Sequence, residues 1–133
     1  MIDKTLRGKI KGLDELFKIV GEDYNFHDAE LEHMEWDIDK RELTVTYGIW
    51  DIDGSNLHFV TWHLIPEMND FDISISPHNP YTGGIDITNS ESQMSKYKFE
   101  ADCDGPIMDC EDIWVEIKEG DPKTFLKISC LYR

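Results

Sequence analysis

Basic residues are scarce in this chain. Thirteen lysines and arginines face twenty-eight aspartates and glutamates, which leaves a formal net charge of -15 and an isoelectric point near 4.5. Such a field repels nucleic acid and anionic membrane surfaces, and it attracts cationic proteins and speeds their encounter. Long apolar runs are missing as well. None approaches the ~18 residues of a membrane span, and the opening MIDKTLRGKIKG has no apolar stretch of signal-peptide length. Cysteine is limited to Cys103, Cys110 and Cys130. An odd count without a signal sequence reads as reduced thiols in a cytoplasm, and Cys103 and Cys110 do not have the C-x-x-C spacing of a zinc knuckle. Neither G-x-x-x-x-G-K-[ST] nor G-x-G-x-x-G occurs, and there is no nucleophile elbow. The expectation is a protein without cofactor, metal or catalytic residue.

What is present is a globular composition. Hydrophobic residues make up 40% of the 133 positions, four of them tryptophan, enough for a single domain over residues 1–133 with a core of its own. Ile10, Leu13, Leu16, Phe17 and Val20 recur at helical spacing, with Asp14 and Glu15 early and Gly21 as a stop. After this helix the pattern alternates. Met34, Trp36 and Ile38 and then Leu43, Val45, Tyr47 and Ile49 read as a hairpin across a short polar link. DIDGSN (51–56) is a turn, and LHFVTWHLIP (57–66), apolar on both faces, reads as a central strand ended by Pro66. FDISIS (71–76), GIDIT (84–88), SKYKFEA (95–101), DIWVEIKE (112–119) and TFLKISCLYR (124–133) follow, with turns at PHNPYTGG, DCDGPIMDC and EGDP. The fold class expected is α+β: a mainly antiparallel β-sheet with one N-terminal helix packed on it.

The densest polar stretch is NFHDAELEHMEWD (25–37). His27, Asp28 and His33 match no helical HExxH pattern, and His58 and His63, five apart in one strand, point to opposite faces. The reading favoured here is structural: Phe26 anchors a loop-to-strand corner in the core, while His27 or Asp28 caps nearby backbone donors. DIDGSN resembles the start of a calcium loop, but its twelfth position holds Trp62 in place of the bidentate glutamate. The acidic clusters are candidates for a binding surface: Asp51 and Asp53 in one place, and Asp102, Asp104, Asp109, Glu111 and Asp112 in another. They read as solvated loops that present carboxylates to lysine and arginine, with Trp50 or Tyr81 as possible aromatic anchors.

FHDAELEHMEWD followed by ELTVTY resembles the opening of the immunity protein 50 family, small bacterial immunity proteins of polymorphic toxin systems. The resemblance covers residues 24–65, and its signature is Phe26-His27-Asp28. It implies a non-enzymatic cytoplasmic protein that neutralises a basic partner toxin, a nuclease or other cationic effector, by steric and electrostatic blocking. No nucleic-acid or membrane partner is expected. Two alternatives stand beside it. One is a small metal- or His-dependent hydrolase built on His27, Asp28 and a histidine of strand 57–66. The other is a module that self-associates through an exposed sheet edge.

Overall fold

The computed structural model describes residues 1–27, 29–67, 71–76, 83–90, 96–102, 104–120 and 127–131. A 3-10 turn at Lys4–Leu6 and one helix, α1 (Leu13–Val20), come first. The strands are β1 (Glu30–Asp37), β2 (Glu42–Trp50), β3 (Leu57–Pro66), β4 (Asp72–Ser74), β5 (Gly84–Asn89), β6 (Tyr97–Asp102), β7 (Gly105–Glu119) and β8 (Lys127–Leu131). They form one sheet in the order β5-β6-β7-β3-β2-β1-β8, and β4 pairs with β7. Every pairing is antiparallel except that of β1 with β8. The fold is therefore α+β, mainly an antiparallel sheet with a single short helix, as the sequence pattern predicts.

Helix α1 exists because its apolar residues share a face. Leu13, Leu16, Phe17 and Val20 are all buried, and fully burying side chains of this kind stabilises by roughly 1.5–3 kcal/mol each. Glycine bounds it at both ends. Gly21, at φ 86°, ends the helix with its N–H on Phe17 O (2.8 Å), and Gly12, at φ 90°, precedes it. Gly12 also has no room for a side chain, because a Cβ there would overlap the Val115 carbonyl oxygen. Lys11 meanwhile bridges to Trp114 in parallel, so the helix is tied to β7 where it begins.

The core lies between this helical layer and one face of the sheet. Val60, Trp62 and Leu64 of β3 point into it, as do Leu43, Val45 and Tyr47 of β2 and Phe99 of β6. An aromatic chain crosses it: Phe26 packs on Tyr24 at 4.9 Å and on Trp62 at 5.7 Å, and Trp62 packs on Phe99 at 5.7 Å. Two bulges keep the long strands in phase. In β1 the register slips between Leu31 and His33: Leu31 and Met34 stay in the core, while Glu32 is buried over Gly48 on the other face. In β7 it slips opposite Pro66, so Glu111 and Asp112 are both exposed, with Cys110 buried before them and Ile113 after. An extra residue of this kind bends a strand and raises its twist.

Several elements depart from the sequence expectation. Gly105–Cys110, read as part of a turn, opens β7: Met108 and Cys110 alternate into the core, and Gly105 passes where any Cβ would strike the Tyr47 hydroxyl. Packing outweighs the turn propensity of Asp-Gly-Pro. Strand β3 is central, but only one face is fully buried and the other is half-buried. FDISIS contributes three paired residues, all exposed. β8 runs parallel to β1, where an antiparallel partner was expected.

The outer edge of β5 is occupied. Ile85 N–H donates to Asn25 O (2.8 Å) and Asp3 N–H to Ile87 O (2.9 Å), so the segments around Ile2 and Asn25 take up backbone groups that would otherwise invite another strand. Among the described residues no helix is long and apolar enough to cross a membrane.

Candidate functional site

The face of the sheet turned away from the helix carries the polar chemistry. Strand alternation sends to it Asp86 of β5, Glu100 and Asp102 of β6, and Asp109 and Glu111 of β7. Farther across it are Glu116 of β7, Glu42 of β2 and Glu35 of β1. Lys98 and Lys118 stand among them, each already near a carboxylate: Lys98 Nζ is 3.6 Å from Glu100, and Lys118 Nζ is 4.0 Å from Glu116. Paired lysines of this kind do little to offset the surrounding negative field, which a cationic macromolecule would meet as one broad patch.

Near the middle of this face sits His63. The ring stacks on Trp114 with centroids 3.6 Å apart and planes 8° from parallel. Nδ1 hydrogen-bonds Glu42 Oε1 at 2.9 Å. Glu116 Oε1 lies 3.1 Å from Nε2, near enough for an ionic contact but not aligned as a hydrogen bond. Lys11 Nζ lies 5.6 Å from the Trp114 ring centre. The register explains the cluster: His63 is opposite Thr44 on one side and Trp114 on the other, so Glu42 and Glu116 are its diagonal neighbours. A carboxylate–imidazole pair can orient a base, and the hydroxyl of Thr44, directly across, donates to the Glu35 carbonyl oxygen at 3.4 Å. The sequence reading missed Glu42, Trp114 and Glu116, and only strand register would have found them.

The expected site residues scatter. Asp53, Asp102, Asp109, Glu111 and Asp112 are exposed. The last four lie on or at the ends of β6 and β7, so this acidic group belongs to a rigid sheet and not to solvated loops. Asp104 is a correction: it is completely buried, and its Oδ1 accepts the Ser76 N–H at 2.7 Å, so it is no part of a binding surface. The reason is local, since its carbonyl also accepts the Tyr47 hydroxyl (3.0 Å) and is drawn inward. Asp51 organises the β2–β3 turn: it accepts from Ser55 N–H and Asn56 Nδ2, both at 3.0 Å. The Asn56 side chain is the main cause holding the Asp51 carboxyl below its ordinary range, while burial acts against it and Ser55, the Asn56 backbone and His58 add to it.

At the Phe26 corner the anchor is as expected. Phe26 is fully buried, at φ 63°. Asn25 Oδ1 accepts the His27 N–H (2.9 Å), and His27 itself reaches Gly83 O from Nδ1 (3.1 Å). Asp28, Tyr81 and Cys103 lie outside the described residues. The two histidines of β3 that a hydrolase could use stand on opposite faces of the sheet. His58 is buried on the core face, and His63 pairs with Thr44 while the cleft beside His27 is lined by Gly48, four residues farther along β2, a separation of roughly 13 Å. Among the described residues no three histidine, cysteine or acidic side chains group as metal ligands would.

No protein-family model, curated protein or solved structure matches the chain in sequence or fold comparison.

Proposed function

We propose that this chain is a cytoplasmic, non-enzymatic binding protein of the immunity type. Its acidic sheet face docks on a cationic protein toxin and covers the toxin's active site. The observation that carries the reading is the concentration of carboxylates on one open, rigid face, where Lys98 and Lys118 each already lie near a carboxylate. Charge of this kind speeds encounter, whereas slow release requires desolvated anchors. The resemblance of residues 24–65 to immunity proteins supports the choice of partner class.

The test is co-purification with the product of the adjacent gene, followed by stopped-flow association. Reversing Asp109→Lys and Glu111→Lys together is expected to slow association about tenfold at low salt and to flatten its salt dependence. A neighbouring gene whose product shows no binding, or an association rate indifferent to both salt and charge reversal, would overturn the reading.

A further inference from the structure

Trp50 differs from the other three tryptophans. Trp62 packs against Phe26 and Phe99, Trp36 against Phe71, and Trp114 against His63. No described ring packs on Trp50, and it is 54% exposed on the open face of the sheet. Two positions before it on the same face comes Gly48, whose missing side chain leaves room for Glu32, its Oε1 3.1 Å from where a Cβ would stand. Directly across from Gly48 in the register is Glu30. Glu30 and Trp50 are thus diagonal cross-strand neighbours, a separation that long side chains bridge. Among the described residues the Glu30 carboxylate makes no hydrogen bond or ion pair. Tyr24, His27 and Leu57 complete the walls of a cleft of about 320 Å³.

We propose that this cleft receives an arginine or lysine side chain of the cationic partner, an inference that rests on the binding role argued above. The indole face is the strongest aromatic site for a cation, and Tyr24 offers a second ring. Glu30 supplies the opposite charge, unspent on any other described group. Seating an apolar group here would strip water from that carboxylate without compensation. An anionic group would meet both Glu30 and the net negative charge of the chain. The cleft shares the sheet face that bears the acidic patch, so one partner can meet both, with the patch steering the approach and the cleft holding an anchor.

The test follows the indole and backbone amide signals of Trp50 and Gly48 by NMR while acetyl-arginine amide is added to the full chain, with neutral acetyl-glutamine amide as control. The expected result is a saturable shift with the arginine compound alone, weakened about tenfold in Glu30→Gln and abolished at the Gly48 amide in Trp50→Leu. Thermal melts of both surface variants establish that they are folded. Equal shifts with both amides, or no shift with the arginine compound, overturn the proposal. The two readings fail separately. If the partner binds the acidic face but Trp50→Leu leaves its release rate unchanged, the cleft assignment falls and the face stands. If arginine amide binds the cleft but no cationic partner is captured, the toxin-blocking role falls and the cleft stands.

Discussion

Trp114 lies flat against the imidazole of His63, with ring centroids 3.6 Å apart and planes within 8°. The contact joins β3 to β7 on the polar face, where the two strands are paired side by side. Truncating His63→Ala removes the stack and leaves Glu42 without its 2.9 Å partner. The expected loss is about 1–2 kcal/mol in urea unfolding. In a double-mutant cycle with Trp114→Ala the coupling should be about 0.5–1.5 kcal/mol. A coupling near zero would show that the stack contributes nothing.

Of the two described residues of the signature ahead of β1, Phe26 is the one held by packing. Phe26 touches Tyr24, Tyr47 and Trp62 and is wholly buried. Phe26→Ala should cost about 3–5 kcal/mol. His27→Ala, which removes an exposed ring and one contact to Gly83 O, should cost no more than about 1 kcal/mol. Equilibrium denaturation of the two variants decides it, and similar losses would refute the idea that the corner is held by packing.

Gly8 and Gly12 both have positive φ, 80° and 90°, but only Gly12 is crowded. Nothing lies within 4 Å of a Cβ added at Gly8, so Gly8→Ala should cost only the left-handed penalty of about 1–2 kcal/mol. At Gly12 the same methyl meets the Val115 backbone, which cannot rotate away. Gly12→Ala is therefore expected to cost at least about 1 kcal/mol more, read as a lower midpoint in thermal or urea melts.

Alkaline pH should destabilise the fold. Burial is the main cause pushing the Cys110 thiol up to about 12, with Asp109 and Asp112 adding to it. Burial and Asp112 raise Tyr97 as well, and burial with Asp104 raises Tyr47. A group raised in the folded state contributes stability that is full below its unfolded value and is lost as pH climbs toward the folded one. For Cys110 that window opens near ~8.5 and closes at about 12. Urea midpoints should fall through this range. In the same state Cys110 should resist iodoacetamide at pH 8 until denaturant is added, as peptide mapping would show.

The parts of this fold visible in the sequence were those set by local periodicity. The stripe of Leu13, Leu16, Phe17 and Val20 and the alternation through Leu43, Val45 and Tyr47 each depend on neighbours a few residues away. The phase of β7 was hidden, because the bulge at Glu111 and Asp112 is defined by the partner strand and the Asp-Gly-Pro preceding it looks like a turn. The His63 cluster was hidden for the same reason: Glu42 and Glu116 are distant in sequence and meet only through the pairing of β2, β3 and β7. Charge was visible as a sum, but its gathering onto one face needed the topology, and Asp104 shows that an aspartate in an acidic run can still face inward.

The parallel pairing of β1 with β8 has a kinetic consequence. His33 sits beside Lys127, so the sheet closes across most of the length of the chain, and closing so large a loop is slow compared with zipping a hairpin. A ribosome releases β1 and β2 long before β8 emerges. In that interval the flank of β1 is open to the solvent and to other nascent chains, and the last event of folding is expected to be the docking of β8 against it.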